Sequence, residues 1–172
     1  MIRETVEISV IVERRALKDN RWADHVWMPV AAVAGAPAAA PWTVLRQTAD
    51  VTRFFAGGFE LEFFGSETGM YRDNLQSGRP SLWIVLRPTS ASPGVALHMV
   101  TADPSEGESL TETGTEIVEA VTMPVEIQQR LVAFVAAHHV ERPFVKRKRD
   151  RADPEAMAMR APVLRRRNDA DE

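Results

Sequence analysis

The sequence predicts an α+β protein that is mainly β. We expect an antiparallel sheet forming a partial barrel or sandwich, one C-terminal helix packed on it, and a disordered basic tail. Several short segments alternate apolar and polar residues, which is the period of a strand. A segment near residue 130 repeats its apolar residues with the period of a helix. Beyond residue 144 charges are frequent and large apolar residues are few, a composition typical of disorder.

The first predicted strand contains Val6, Ile8, Val10 and Val12, which alternate with more polar residues. The next apolar segment includes Pro29, which cannot donate a backbone hydrogen bond, so we expect that strand at a sheet edge or a bulge. The remaining strands are predicted at residues 42–47, 51–55, 59–64, 81–86, 95–101 and 116–121.

Two of these segments are joined by Gly57 and Gly58, which predict the tight turn of a β-hairpin because glycine supplies positive φ angles. Residues 81–86 are apolar on both faces, which predicts a central strand with Trp83 in the core. No helix separates most of the strands, so an antiparallel sheet is favoured over a parallel one.

Two segments carry helix signals. Asp103, Pro104 and Glu106 supply an N-cap, a proline in the first turn and an acidic residue beside it, and predict a short helix that ends near Gly114. Pro124 opens the longer C-terminal helix. Its apolar face is predicted to consist of Ile127, Leu131, Phe134 and Val135.

The chain has 172 residues, a length typical of one domain, and we expect a single β-rich domain at 1–144. The absence of cysteine excludes disulfides and thiolate metal sites. No apolar run reaches the roughly 20 residues of a membrane span, and we expect a cytoplasmic protein. The common catalytic motifs are missing, so we predict no catalytic residue, no metal site and no cofactor, and favour a non-enzymatic protein.

Charge is unevenly distributed. Residues 141–172 carry ten basic and seven acidic residues, whereas residues 1–140 have a net charge of −6. The predicted tail, 145–172, begins with the basic run Lys146, Arg147, Lys148 and Arg149. Acidic residues follow this run at once, so we favour contact with an acidic protein surface over specific nucleic-acid binding.

A first candidate site contains Arg21, Trp22 and Trp27. Tryptophan and arginine are enriched at binding hot spots, and Pro29 indicates a neighbouring edge strand. The segment therefore predicts a surface that binds a protein partner. In the alternative interpretation both tryptophans pack into the core. Trp22 is the stronger candidate for exposure, because the residues around it are typical of a loop.

A second candidate site contains Tyr71, Asn74 and Arg87. Polar groups beside aromatic residues suit a small-molecule pocket, which predicts a ligand-binding domain or an undescribed enzyme. In the alternative interpretation the polar residues between 74 and 80 only stabilise a turn. A deep pocket where Tyr71, Asn74 and Trp83 meet would favour the ligand site.

The chain resembles a known family through three groups of residues. They are Val12-Glu13-Arg14-Arg15 with Arg21-Trp22, Trp27 and Pro29-Val30; Tyr71, Asn74-Leu75, Ser77, Pro80-Ser81, Trp83 and Val85-Leu86-Arg87; and Met123-Pro124 with Phe144 and Lys146-Arg147-Lys148-Arg149. Over residues 4–149 it resembles the DUF3305 family, small bacterial proteins of unknown function often encoded near formate dehydrogenase genes. The resemblance implies an accessory role in maturation or assembly of a molybdenum-containing formate dehydrogenase, with a dehydrogenase subunit or maturation factor as partner.

Overall fold

The structure is a computed structural model that describes residues 1–141. Strands make up 45% of these residues and helices 24%, so the protein is mainly β as predicted. None of the helices within this range is long and apolar enough to cross a membrane. The elements are, in chain order, β1 (Arg3–Ala16), β2 (His25–Ala34), β3 (Thr43–Gln47), β4 (Val51–Phe64), α1 (Thr68–Gln76), β5 (Ser81–Pro88), β6 (Val95–Thr101), α2 (Pro104–Thr111), β7 (Ile117–Thr122) and α3 (Val125–His138).

The strands form two antiparallel sheets, ordered β2-β1-β4-β3 and β6-β5-β7. The sheets pack together with β2 near β7 and β4 near β6. No strand ladder within residues 1–141 joins the two sheets, so the barrel they outline stays open. The predicted partial barrel or sandwich is therefore confirmed.

The core lies between the sheets and under α3. Period-2 patterning turns alternate side chains of β1, β4 and β5 inward, where burial of apolar surface stabilises the fold. Leu131 on α3 is fully buried, and its neighbours on the predicted apolar face pack on the same core. The fully buried strand residues include Ile8, Val10, Val12, Leu61, Phe63, Leu82, Ile84 and Leu86.

The hairpin predicted at Gly57 and Gly58 is wrong. β4 runs without interruption from Val51 to Phe64, and its register against β1 shifts where Gly57 lies opposite Val10. Gly57 has a φ of +135°, and the strand uses that freedom in a bulge instead of a chain reversal. Glycines at these positions are compatible with either a hairpin turn or a bulge, and only the pairing of β4 with β1 distinguishes the two.

Other elements match the sequence with two differences. β2 lies at a sheet edge, and its Pro29 pairs with Val12 at a register shift, as its missing N–H predicts. β5 is central, but Trp83 is half-buried instead of fully buried, and the short helix α2 packs against its ring. The segment 68–76, for which the sequence predicted no helix or strand, is the helix α1.

Candidate functional site

Residues 17–24 form the Trp22 loop, which joins β1 to β2. The N–H of Leu17 donates to the carbonyl of Asp24 at 2.9 Å and closes the loop at its base. At its tip the side-chain oxygen of Asn20 accepts hydrogen bonds from the backbone N–H groups of Trp22, at 2.8 Å, and Ala23, at 3.3 Å. This short-range capping is typical of asparagine in turns and holds the tip in one shape.

The Trp22 loop is also tied to the rest of the sheet. Lys18 forms an ion pair with Asp50, which lies in the turn between β3 and β4, at 3.2 Å. The N–H of Ala16 donates to the carbonyl of Asp50 at 2.8 Å. The loop is therefore hydrogen-bonded at its base, capped at its tip and joined at its side to the turn between β3 and β4.

Trp22 is 93% exposed, and Arg21 beside it is exposed as well. Such exposure is uncommon for an indole ring, because it leaves a large apolar surface in water. At the opposite edge of the same sheet from β2, the strand β3 is exposed along its whole length, with Val44 and Leu45 about half exposed. An aromatic side chain and a cation are thus exposed side by side on the Trp22 loop.

Trp27 is buried in the core, whereas Arg21 and Trp22 are exposed. Its ring is 6% exposed and contacts Trp42 at 5.6 Å and Phe54 at 5.5 Å between centroids. The guanidinium of Arg14 lies over the Trp27 ring at 5.8 Å, within the range of a cation–π interaction. The structure therefore separates the first candidate site into an exposed pair and a buried aromatic ring.

The side chain of Asn74 connects α1 to two other backbone segments, at Ser81 and at Ala102. Its amide nitrogen donates to the carbonyls of Ser81 and Ala102, each at 2.8 Å, and its oxygen accepts from the N–H of Ser81 at 3.0 Å. The side chain is 2% exposed. These bonds tie α1 to the start of β5 and the end of β6, so the amide is fully used within the fold.

Tyr71 lies on the same buried face of α1 and is 2% exposed. Its hydroxyl oxygen accepts a hydrogen bond from the N–H of Phe64 at 3.2 Å. Burial raises the pKa of Tyr71 to about 12, and the negative charges of Glu67, Asp103 and Glu106 act in the same direction against the opposing Phe64 bond. The hydroxyl therefore stays protonated through the neutral range.

Arg87, the third residue of the second candidate site, is exposed on β5 and pairs with Glu116 at 2.8 Å. Hydrogen bonds from the hydroxyls of Thr113 and Thr115, followed by that of Arg87, lower the pKa of Glu116 to about 2. Arg87 thus pairs with a residue that lies just before β7. Tyr71 instead bonds from α1 to β4, and Asn74 bonds from α1 to the start of β5 and to the residue after β6. Tyr71, however, also lies at a cleft.

That cleft, of about 730 Å³, lies between β4 and β6, where the barrel is open. Sequence reasoning missed it because β4 was interpreted as a hairpin. The sequence did contain a pattern that indicates the acidic side of the cleft. Glu60 and Glu62 alternate with Phe59, Leu61 and Phe63, which places the two carboxylates on one face of the strand. Its lining comprises Phe59, Glu60, Glu62, Phe64, Glu67, Tyr71, His98, Met99, Val100, Thr101, Asp103, Ser105, Glu106 and Ser109.

The comparisons with known proteins give one match. A family model described as a protein of unknown function, DUF3305, matches residues 7–148. The chain belongs to the DUF3305 family. No curated protein and no solved structure matches it. The DUF3305 match includes Trp22, Tyr71 and the run Lys146, Arg147, Lys148 and Arg149, although this run lies outside the described residues.

Proposed function

We propose that this DUF3305 protein is a non-enzymatic accessory protein that binds a partner protein through the Trp22 loop. The observation that carries the proposal is the 93% exposure of Trp22 on a loop with an ordered backbone. Burying an indole ring against a partner removes a large apolar area from water, which is the main favourable term in protein association. Arg21 adds a side chain of the kind enriched at interface hot spots.

The ordered loop strengthens this interpretation. Binding costs free energy when a flexible segment must be fixed in one conformation, and a preorganised loop reduces that cost. Asn20 caps the loop tip, and the backbone bonds of Leu17 to Asp24 and of Ala16 to Asp50 close its base. The loop therefore presents the backbone of Trp22 in a defined conformation before a partner arrives.

We propose a formate dehydrogenase subunit or maturation factor as the partner, with the protein assisting maturation or assembly of the molybdenum-containing enzyme. The support is the gene neighbourhood that the family resemblance implies. The basic run Lys146, Arg147, Lys148 and Arg149 would then steer the protein toward an acidic surface of that partner, as charge complementarity raises association rates.

The test is co-purification of a molybdenum-containing formate dehydrogenase with the tagged 172-residue chain, followed by affinity measurement with the purified enzyme. Trp22→Ala should weaken binding by about 30-fold, which corresponds to roughly 2 kcal/mol. Val132→Ala removes another half-exposed apolar side chain, on α3, and should leave binding unchanged. Equal affinity of Trp22→Ala and the unchanged protein would disprove the role of the loop, and failure to recover any dehydrogenase component would disprove the partner.

A further inference from the structure

We propose that the cleft between β4 and β6 binds an extended, basic segment of a partner protein by strand addition. The seam is defined here as Phe59–Phe64 of β4, His98–Thr101 of β6 and the cleft between them. It is separate from the Trp22 loop. The loop follows the C-terminal end of β1, whereas the seam part of β4 pairs with the N-terminal half of β1 from Arg3 to Ile8.

The first argument is that β4 has an open edge at the seam. β3 pairs only with the first part of β4, up to Phe55, so no strand within residues 1–141 pairs with the outer side of Phe59–Phe64. β6 is likewise the edge strand of the second sheet. Edge strands present unpaired backbone donors and acceptors, and an added strand can bond to them.

The direction of the backbone groups identifies which residues offer these bonds. The N–H of Gly65 donates to Ile2 on the β1 side, whereas the N–H of Phe64 points the other way and donates to the hydroxyl of Tyr71. Because the direction alternates along a strand, the N–H and carbonyl groups of Glu60 and Glu62 share the outward direction of Phe64. They face the seam and are the bonding groups for an added strand.

A cleft lies beside the outer edge of β4. Its volume of about 730 Å³ lies within the range of ligand-binding clefts. Phe59, Phe64, Met99 and Val100 contribute apolar surface to its lining. An extended segment could therefore direct backbone groups to the edge of β4 and small apolar side chains to these residues.

Charge selects the kind of segment. Five acidic residues line the seam, and neither lysine nor arginine is among its lining residues. Arg3 pairs with Glu62 at 3.0 Å, and Asp103 caps α2, but the carboxylates of the other three acids have no ion-pair partner within residues 1–141. These three are Glu60, Glu67 and Glu106. A basic segment would neutralise them, whereas a nucleic-acid backbone would be repelled.

Strand geometry also fixes the spacing of the basic residues. Glu60 and Glu62 lie on one face of β4, about 7 Å apart, because alternate residues of a strand share a face. A neighbouring strand with Lys or Arg at positions i and i+2 on that face places one cation opposite the unpaired Glu60 and a second beside Glu62, which Arg3 already contacts. The preferred segment is therefore extended, with basic residues at alternate positions.

Fluorescence anisotropy with three labelled peptides tests the proposal on the 172-residue chain. The probe is acetyl-Thr-Lys-Val-Lys-Val-Lys-Thr-amide. One comparison peptide carries Glu in place of Lys. The other retains Lys but is N-methylated at the three valine and threonine positions that follow a lysine, which removes backbone donors and keeps the charge. We expect the Lys peptide to bind, the Glu peptide not to bind, and the N-methylated peptide to bind about tenfold more weakly.

Two charge variants locate the binding site. The double variant Glu60→Gln/Glu62→Gln should weaken binding of the Lys peptide by about tenfold. The control Glu119→Gln/Glu126→Gln removes the same charge from β7 and α3 and should bind within about twofold of the unchanged protein. Thermal melts of all samples identify any variant that fails to fold, and Glu60→Gln alone then replaces the double variant, with weaker binding expected.

Several results would overturn the proposal. Equal binding of the N-methylated and unmodified peptides would mean that charge alone attracts the peptide. Equal binding of the seam variant and the control variant would place the peptide elsewhere. Lack of binding at millimolar peptide, or direct binding of a labelled single-stranded oligonucleotide that the seam variant loses, would reject a basic protein segment as the occupant. A dimer in sedimentation velocity that dissociates only in the seam variant would assign the seam to a second copy of the chain.

Discussion

Gly107 of α2 lies directly against the indole ring of Trp83 on β5. A Cβ atom at position 107 would stand 2.7 Å from the Cβ of Trp83 and would overlap the ring itself. The absence of a side chain at 107 thus allows α2 to approach the sheet closely and to cover part of the ring. The half-buried ring of Trp83 is therefore packed between its own strand, β5, and the helix α2.

Gly107→Ala should therefore destabilise the protein by about 1–3 kcal/mol, because either α2 or the indole must shift. Gly69→Ala is the matched control, since Gly69 lies in α1 with nothing within 4 Å of the added methyl group. That change should raise stability by about 0.5–1 kcal/mol through the lower entropy of the unfolded chain. Urea denaturation measures both, and equal effects of the two substitutions would contradict the close approach.

Asn74→Ala should cost about 3 kcal/mol of the free energy of unfolding. The substitution leaves three backbone groups of Ser81 and Ala102 without their side-chain partner in a buried setting. Gln76→Ala, on an exposed position of the same helix, should change stability by less than about 0.5 kcal/mol. Chemical denaturation followed by tryptophan fluorescence checks the pair, and a loss no larger than that of Gln76→Ala would show that these bonds are dispensable.

The chain contains a single tyrosine, so its titration can be observed directly by ultraviolet absorbance. We expect the pKa of Tyr71 to be about 12 in the folded protein and close to the ordinary value of 10.0 in urea. Because the folded state holds the proton more tightly, stability is constant below pH 10.0 and falls as the pH rises toward 12. The fall should amount to about 2 kcal/mol.

The variant Tyr71→Phe separates this effect from the titration of other groups. It should show a smaller fall in stability over the same alkaline range. At neutral pH it should lose about 1 kcal/mol, because the N–H of Phe64 no longer has an acceptor. A folded-state pKa near 10 would contradict the burial of the hydroxyl.

Glu13 lies 5% exposed between Arg53, at 2.6 Å, and Arg15, at 2.8 Å. Burial acts to raise the pKa of Glu13, but the hydrogen bonds from the two arginines outweigh it and hold the pKa below 4.5. The resulting stabilisation is complete above pH 4.5 and is lost as the pH falls through the lower folded-state value. Glu13→Gln should cost about 1–2 kcal/mol at neutral pH and flatten the acid side of the stability profile.

Glu7→Gln, on an exposed position of the same strand, is the control for that profile. It should leave both the neutral stability and the acid dependence unchanged. Thermal melts from pH 3 to 7 measure both variants. An acid dependence of Glu13→Gln as steep as that of the unchanged protein would show that the two ion pairs contribute little.

The two tryptophans of the first candidate site should respond in opposite ways to truncation. Trp27→Ala should cost about 3–5 kcal/mol, because it opens a cavity beside Trp42 and Phe54. Trp22→Ala should change the free energy of unfolding by less than about 0.5 kcal/mol. Guanidinium denaturation distinguishes them, and a large loss for Trp22→Ala would mean that its ring is packed in solution.

The sequence by itself determined most of the local structure. Alternation of β-branched residues identified β1, the missing donor of Pro29 identified an edge strand, and the cap formed by Asp103 identified α2. These signals depend on backbone chemistry within a few residues, so they can be recognised without knowledge of the fold. The exposure of Trp22 also followed from its polar neighbours.

Tertiary structure decided the rest, because those features depend on which distant segments meet. Gly57 permits a turn or a bulge, and pairing with β1 selects the bulge that lets β4 continue. Asn74 has the chemistry of a turn or a ligand site, and contacts with Ser81 and Ala102 make it a cross-link. The acidic seam exists only because two sheets distant in sequence approach without closing, which no local pattern of residues encodes.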